Sequence, residues 1–272
     1  IARSGIAARV MGMDPVKNRS ASRGVSLREG LGTLASVVKS ANSVGAGLRQ
    51  AAGIATAGRH LLDDVPWSMH VTVEGHDMAA AQHALDALRP CWRGVRELPP
   101  TVPTALHARP YSIRGIVGID GERWVPVHGI FPLSRAAQVV ERVEALVAAH
   151  AARLRAHGIA VSYIVMATGA AWLLEPMFYW RDELGPLHAK VLGEKFAKFR
   201  GAAADPAARV EPRELRAEVT ALFDALGGVH SQLGKYYAFG ARLQPDTWSA
   251  LTDLKDALDP QRTLNPGNLG WD

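Results

Sequence analysis

The longest apolar stretch of the chain, Val161–Trp180, constrains the fold most strongly. A membrane-spanning helix needs about 20 mainly apolar residues. Polar or helix-breaking residues interrupt this stretch, namely Ser162, Thr168, Gly169, Glu175 and Pro176. The pattern instead predicts two strands, Ala160–Ala167 and Trp172–Tyr179, joined near Gly169. The stretch therefore indicates part of a sheet and no membrane span.

The rest of the chain alternates between strand and helix patterns. Further strands are predicted at Trp67–Glu74, Ser112–Ile119 and Arg123–Ile130, the last two joined by an Asp120–Gly121 turn. Helices are predicted within Leu31–Ala57 and at Met78–Leu88, Arg135–Ala156, Leu184–Arg200, Glu214–Leu226 and Pro245–Leu258. Residues 1–30 lack periodicity and are predicted to form a loop. This order is typical of an α+β fold, an antiparallel sheet covered by helices.

Composition narrows the class of protein further. The 272 residues are 48% apolar and 21% charged, which is usual for a folded globular protein and too apolar for a disordered one. Cys91 is the single cysteine, so an intramolecular disulfide or a multi-cysteine metal site is excluded.

The net charge of +5 is unevenly distributed along the chain. Residues 1–60 carry nine Lys/Arg and two Asp/Glu, a balance of +7, and the remaining 212 residues balance at −2. This segment is either a solvated region or a docking surface for an acidic partner or another domain. It contains no Phe, Trp or Tyr on which bases could stack, so we expect no nucleic-acid partner.

Two C-terminal segments carry a family resemblance. Gly227–Gly240 reads GGVHSQLGKYYAFG, and Leu254–Gly270 reads LKDALDPQRTLNPGNLG. The pattern K-D-A-L-D-P-x-x-x-L-N-P-G resembles the C-terminal signature of FAD-linked oxidases of the vanillyl-alcohol oxidase and D-lactate/glycolate dehydrogenase superfamily. Trp67–Leu88, Phe131–Arg135 and Val161–Trp180 fit the same resemblance in order, so it covers about residues 60–272.

The resemblance implies a substrate (cap) domain with a ferredoxin-like antiparallel sheet. In the family a separate N-terminal domain binds most of the FAD through a Gly-rich pyrophosphate loop. No such loop is found in this sequence, and the first residue is not Met, so the chain resembles the C-terminal half of a flavoenzyme. We expect a basic junction segment at 1–60, the cap domain at 61–240, and a C-terminal helix and tail at 241–272 that pack toward an FAD-binding domain or subunit. A cytoplasmic location is the default expectation, and homo-oligomerisation is left open.

The function that the resemblance implies is FAD-dependent oxidation of a small hydroxylated substrate by hydride transfer to flavin N5. The forms GGVHSQLGKYY and LNPGNLG are more similar to the lactate/glycolate group, which favours a 2-hydroxy acid. A phenolic or aromatic alcohol is the alternative, because Tyr163, Trp172 and Tyr179 are aromatic candidates for contact with such a substrate. A non-catalytic binding subunit is a third hypothesis, supported by the missing FAD loop.

His230 matches the histidine of the family's G-x-H-G-x-G-type loop, which implies a base or a substrate-orienting residue; a helix-capping histidine is the structural alternative. Ser231, Gln232 and Lys235 share this loop, and the resemblance implies contacts with the flavin ring or a substrate carboxylate. Asn265 matches a family position near the isoalloxazine, although it also precedes the Pro266–Gly267 turn.

Glu175 lies in the apolar run Ala170–Tyr179, where burial would raise its pKa and suit it to general acid–base catalysis. Tyr179 lies on its face of the strand, a candidate lining for a substrate cavity. Four further side chains are weaker candidates. His128 lies on the Arg123–Ile130 strand, Tyr163 is a candidate hydrogen-bonding residue, and Arg109 and Arg114 are candidates for binding a substrate carboxylate.

A metal-dependent branch of the family uses two strand histidines and a glutamate before the loop histidine. Here Thr168 and Glu175 occupy the histidine positions, and Val229 occupies the glutamate position. Only Glu175 remains as a candidate ligand, whereas a metal site needs three or four. We therefore expect no metal site of this kind.

Overall fold

The computed structural model describes residues 1–23, 27–41, 43–57, 61–62, 64–108, 116–199, 201–232 and 234–271. Their strands form one antiparallel sheet in the order β2-β1-β5-β6-β3, with β4 also paired to β6. The strands are β1 (Ala7–Met13), β2 (Ser68–Val73), β3 (Arg123–Pro126), β4 (Gly129–Pro132), β5 (Ala160–Thr168) and β6 (Ala171–Trp180). The sheet with its covering helices confirms the predicted α+β class.

The helices of the described residues are mostly placed as predicted, with shifted ends. They are α1 (Pro15–Arg23), α2 (Leu27–Ser40), α3 (Val44–Ala57), α4 (Met78–Leu88), α5 (Thr101–Ala108), α6 (Ala136–Ala149), α7 (Ala151–Ala156), α8 (Pro186–Leu192), α9 (Phe196–Phe199), α10 (Pro206–Ala225) and α11 (Pro245–Leu258). The largest shift is in α10, which begins well before the predicted Glu214. The Asp205 side chain caps it by accepting the Ala208 N–H at 2.8 Å, a standard helix start.

The loop prediction for residues 1–30 is wrong. Ala7–Met13 forms β1, which pairs with β2 on one side and β5 on the other, and α1 follows directly. Apolar and polar residues do not alternate clearly in β1, so its sequence gave no strand signal. The strand is stabilised by its pairing with two neighbouring strands. The domain division at residue 60 stays a prediction, and β1 places residues from both sides of that boundary in one sheet.

The strongest sequence prediction, the strand pair within Val161–Trp180, is confirmed. Strands β5 and β6 pair antiparallel from Ala160 opposite Tyr179 to Thr168 opposite Ala171. Gly169 in the connecting turn has φ of 55°, in the left-handed region that glycine adopts without steric cost.

The predicted Asp120–Gly121 turn is also present, but the strand before it is not. The Gly121 N–H donates to the Gly118 carbonyl at 3.1 Å, and Gly121 has φ of 86°. Residues 116–119 form bends and turns, and residues 112–115 lie outside the described residues. The hairpin that Ser112–Ile119 was expected to form is therefore not seen in its described part.

The predicted strand Arg123–Ile130 is observed as β3 and β4, separated by two residues. Both strands keep one register with β6, since Pro126 lies opposite Met177 and Gly129 lies opposite Leu174. Between them the Val127 N–H donates to the Pro176 carbonyl at 3.0 Å, but Pro176 has no N–H to return. The shared register places His128 opposite Glu175 across this gap.

The two faces of the sheet differ in what covers them. The first, the α6–α10 face, packs apolar side chains against α6 and α10 to form the main core. Its buried members include Val127, Phe131, Trp172, Leu174, Phe178, Val139, Val143, Leu215, Val219 and Phe223. The second, the α1 face, is defined by Trp124, His128, Glu175, Met177 and Tyr179, and α1 lies against part of it.

Among the described residues, the structure contains no helix with the length and apolar character needed to cross a membrane.

Candidate functional site

The segment after α10 folds back onto the free edge of the β3–β4 strand. Gly227 has φ of 68°, and the Gly228 N–H donates to the Phe223 carbonyl at 2.8 Å, which ends the helix near the predicted Leu226. A side chain at Gly228 would come within 2.7 Å of the Phe131 ring, so the close approach requires glycine. Val229 then exchanges two backbone hydrogen bonds with Ile130, at 2.8 and 3.0 Å. This turn brings the histidine loop to the sheet.

His128 is 1% exposed, and its hydrogen bonds define its protonation state. The Ser231 N–H donates to Nε2 at 3.0 Å, so Nε2 carries no proton. The proton therefore resides on Nδ1, which donates to Tyr237 Oη at 3.1 Å. Burial, with the charges of His230 and Arg216, lowers the pKa of His128 to about 4. His128 is thus a neutral imidazole at physiological pH.

His230 lies beside this ring with both nitrogens close to protein groups. Its Nδ1 donates to the His128 carbonyl at 2.6 Å, and its Nε2 lies 3.3 Å from Asp224 Oδ1. Asp224 is also paired with Arg242. Burial lowers the pKa of His230, although the bond to the His128 carbonyl opposes this. These contacts fit an orienting role better than that of a base.

Tyr237 completes the cluster. Its ring stacks on His230 with centroids 3.8 Å apart and meets the His128 ring edge-on at 5.0 Å. The Tyr237 oxygen also accepts the backbone N–H of His128 at 3.2 Å. The histidine cluster, defined here as His128, His230, Ser231 and Tyr237, is therefore held rigidly at the sheet edge.

Glu175 lies half-buried on the α1 face, opposite Ile164 of β5. Burial raises its pKa, and the charge of Lys17 partly opposes this. Lys17 Nζ lies 5.7 Å from the Trp124 ring centre, and burial lowers the pKa of this lysine while Glu175 and Asp14 raise it. A carboxyl group with a raised pKa beside a lysine with a lowered one has the electrostatics of an acid–base site.

Aromatic side chains lie on the same face as Glu175, four residues further along β6. Tyr179 stacks on Trp124 with ring centroids 5.9 Å apart, and its hydroxyl donates to Met177 Sδ at 3.6 Å. Burial raises the pKa of Tyr179, so the phenol stays protonated. The structure thus groups Glu175 and Tyr179 on one face, as expected from the strand pattern.

Tyr163 is not brought to these residues. It lies opposite Pro176, one position from the Ile164–Glu175 pair, and packs with the apolar residues of the α6–α10 face. There it is hydrogen-bonded to Glu144, and burial is the main cause of its raised pKa. Tyr163 therefore lies on the other face of the sheet from Glu175 and Tyr179, and its hydrogen bond to a substrate stays a prediction.

The predicted cofactor-contacting residues lie on the outer side of the loop and tail. Ser231 and Gln232 are exposed, and Lys235 Nζ lies where a side chain at Gly267 would touch it. Asn265 is exposed, with φ of 49°. Arg109 and Arg114, the candidates for carboxylate binding, lie outside the described residues.

The tail and loop enclose a shallow cavity of about 270 Å³. Its lining residues are Gly234, Lys255, Leu264, Asn265, Asn268, Leu269 and Trp271. The Leu269 N–H donates to the Gly234 carbonyl at 3.0 Å, which joins the tail to the histidine loop. In the parts of the chain that the structure describes, no group of three His, Cys, Asp or Glu side chains is arranged to hold a metal ion.

Two side chains of the site were missed by sequence reasoning. Tyr237 stands in the quoted GGVHSQLGKYYAFG stretch, and an aromatic residue in a glycine-rich loop was a signal that could have found it. Lys17 gave no such signal, because its segment was predicted as loop.

Comparison with protein families matches residues 233–269 to "FAD linked oxidases, C-terminal domain". Comparison with curated proteins gives no match. Three solved structures are matched by this chain, and one of them has a TM-score above 0.5. p-Cresol methylhydroxylase with substrate bound has a TM-score of 0.53 and 10% identity, covering 97% of this chain and 46% of that one.

The other two structures score lower. Alkyldihydroxyacetonephosphate synthase has a TM-score of 0.49 and 11% identity, covering 96% of this chain and 39% of that one. 4-Ethylphenol oxidase from Gulosibacter chungangensis has a TM-score of 0.38 and 14% identity, covering 97% and 47%. This chain spans less than half the length of each. Residues 233–269 are thus similar to the C-terminal domain of FAD-linked oxidases, and the α+β fold of the chain is similar to that of p-cresol methylhydroxylase.

Proposed function

We propose that this chain is the substrate-facing part of an FAD-dependent oxidoreductase that oxidises a small hydroxylated substrate by hydride transfer to the flavin. One observation carries the proposal. The segment that matches the FAD-linked oxidases, residues 233–269, continues directly from the loop that holds the histidine cluster against the sheet. This continuity supports our proposal that the family signature and the titratable groups of the sheet form one site.

The residues present fit part of the cofactor. The tail cavity of about 270 Å³ is smaller than the roughly 300–1,000 Å³ of pockets that enclose a drug-sized ligand. It therefore suits one edge of FAD, with Asn265 and Lys235 beside it, and an FAD-binding domain or subunit supplies the rest. When bound, the flavin is the group that accepts the hydride.

The C-terminal helix offers a surface for that second domain. On α11, Leu254 and Leu258 are 53% and 73% exposed and lie four residues apart, on one side of the helix. Leu264 in the following tail is exposed as well. An apolar surface next to the cavity supports our proposal that residues 241–272 pack toward the FAD-binding half.

Glu175 is the group best placed to take the substrate's hydroxyl proton as the hydride leaves. Its raised pKa moves it toward the working range of a general base, and Lys17 stabilises the charged form. His128 and His230 hold the loop rather than exchange the proton, because their ring nitrogens already have protein partners.

Two substrate classes are candidates under this proposal. The loop and tail motifs favour a 2-hydroxy acid. The stacked Trp124–Tyr179 pair, on the same face of the sheet as Glu175, favours the second candidate, a phenolic or aromatic alcohol, because aromatic rings stack on one another. The cytoplasmic location stays a prediction, and the oligomeric state stays open.

Anaerobic reduction of the flavin in the FAD-loaded protein tests the proposal. Lactate, glycolate and 4-hydroxybenzyl alcohol are mixed with the protein, and loss of flavin absorbance is followed. We expect one substrate class to reduce the flavin, and Glu175→Gln to slow that reduction about 10²- to 10⁴-fold. Glu141→Gln, at an exposed position on α6, is the matched control.

Two results would contradict this account. If the protein holds FAD but no hydroxylated compound reduces it, the proposed oxidation is wrong. If Glu175→Gln and Glu141→Gln reduce equally fast, Glu175 is not the base. A protein that never binds FAD, even with an FAD-binding partner, would support the non-catalytic hypothesis instead.

A further inference from the structure

A buried histidine, His150, lies where α6 ends and α7 begins. It is 4% exposed and joins the two helices through its backbone. Its N–H donates to the Val147 carbonyl at 3.1 Å, and its carbonyl accepts the Leu154 N–H at 3.0 Å. Its side chain reaches α10, where Glu211 and Glu218 are seven residues apart, about two turns along one side of the helix. One imidazole therefore ties the bend between α6 and α7 to α10.

Both ring nitrogens of His150 face carboxylates. Nδ1 lies 2.6 Å from Glu211 Oε1, and Nε2 lies 3.1 Å from Glu218 Oε2. An ionised carboxylate only accepts hydrogen bonds, so both bonds form together only when both nitrogens carry a proton. Glu211 is itself 4% exposed, and a buried charge of this kind needs a cation from the protein. The geometry therefore matches an imidazolium held between two negative groups.

A neutral His150 ring has another partner within reach. Arg153 Nη2 lies 2.9 Å from the same Nδ1 atom, and it can donate to this nitrogen only after the proton has left. Arg153 also contacts Glu211 through Nε at 3.1 Å and Glu214 through Nη1 at 3.3 Å. Loss of the proton would replace the bond from Nδ1 to Glu211 by a bond from Arg153 to Nδ1. Glu211 would then lose its histidine donor, which holds the bend on α10.

The charges around His150 decide when it loses its proton. Burial by itself lowers the pKa of His150, but the hydrogen bonds and charges of Glu211 and Glu218 outweigh burial and raise it above the ordinary 6.5. Arg142 of α6 lines a groove of about 450 Å³ together with Glu218. Since the folded protein binds this proton more tightly than the unfolded chain, the stability from the protonated ring is complete below pH 6.5. It is lost as pH rises through the higher folded pKa.

We propose that protonated His150 is a pH-sensitive clamp that holds the α6–α7 bend on α10, and that loss of its proton releases the bend. The inference does not depend on the proposed oxidation, because these groups lie outside the histidine cluster and the α1 face. It bears on that site all the same, since α10 ends at the Gly227 turn from which the histidine loop continues.

Hydrogen exchange of the full chain at pH 6 and pH 9, corrected for the intrinsic exchange rate at each pH, tests the inference. In wild type we expect the protection of Ala151–Ala156, and of α10 around Glu218, to fall about 10-fold at pH 9, because a charge-assisted hydrogen bond is lost. Protection in the β5–β6 hairpin should fall less. His150→Gln should be less protected at pH 6 and show no such fall. His157→Gln, at an exposed position after α7, is the matched control and should behave like wild type.

A second variant keeps the test decisive if His150→Gln does not fold. Glu218→Gln changes a half-exposed side chain and removes one of the two carboxylates, so protection should be lost at a lower pH than in wild type. Exchange measured at pH 6, 7, 8 and 9 locates this transition. Equal protection of α7 at pH 6 and pH 9 in wild type would overturn the inference. An unshifted transition in Glu218→Gln, or a fall of the same size in the β5–β6 hairpin, would overturn it as well.

Discussion

Residues that alternate along strand β6 contribute to two surfaces with different physical character. Leu174 and Phe178 point to the α6–α10 face, where apolar side chains are almost completely buried. Glu175 and Tyr179 point to the α1 face, beside Lys17 and His128. Burial of apolar area on the α6–α10 face stabilises the sheet. This gain in free energy offsets the cost of holding ionisable groups in partly buried positions on the α1 face.

We expect the two faces to differ most in how much a leucine-to-alanine substitution lowers the free energy of unfolding. Leu174 and Leu173 are neighbours on β6, but Leu174 is buried in the core and Leu173 is half-buried on the α1 face. We expect Leu174→Ala to lower the free energy of unfolding by about 3–5 kcal/mol. Leu173→Ala should cost less than half as much.

Urea denaturation of both variants measures this contrast directly. Because the two substitutions remove the same atoms from adjacent residues, differences in strand propensity cancel. Equal losses would show that the α1 face is packed as tightly as the core, and the comparison between the faces would fail.

The second expected difference is in the response to acid. The pKa of His128 is about 4 in the folded protein, against the ordinary histidine value of 6.5. Between these values the unfolded chain binds more protons, so folding stability attributable to His128 is lost as pH falls from 6.5 to 4. His128→Gln should therefore reduce the decline in unfolding free energy between pH 7 and pH 4.5.

The exposed His157 provides the matched control for this measurement. Wild type, His128→Gln and His157→Gln are unfolded in urea at both pH values, and the pH-dependent differences are compared. Carboxyl groups contribute equally in all three proteins. If His128→Gln shows the same decline as wild type, the neutral buried histidine is not the origin of acid sensitivity.

The smallest expected effect is that of Glu175→Gln on stability. An acid with a raised pKa in the folded state contributes stability below its unfolded pKa, and this is lost as pH rises through the folded value. At pH 7 the substitution should leave the free energy of unfolding unchanged or slightly raised, within about 1 kcal/mol. A clear loss, measured by thermal unfolding at pH 7 and pH 4, would mean that the charged pair with Lys17 stabilises the fold.

Local signals predicted the hairpin of β5 and β6 and the end of helix α10 near Leu226, because these depend on residues that are neighbours in sequence. Strand β1 was missed, because its stability comes from partners about 60 and 150 residues away in sequence.

The contrast between local and long-range contacts also applies to the candidate site residues. His230 and Ser231 were placed in one loop, but their contacts with His128 span 102 and 103 residues and needed the fold. Tyr163 was a candidate hydrogen-bonding residue, and the register of β5 against β6 decides which face of the sheet it occupies.

The side chains that bind the outer edge of the β3–β4 strand also protect the protein from aggregation. Outward backbone groups of Pro126 and His128 are bound by Arg216, Tyr237 and His230 instead of another strand. Substitutions that remove these side chains would uncover an edge able to pair with the same edge of another molecule. Disabling variants at this site should therefore also be prone to aggregation, so low yield and low activity would arise from one cause.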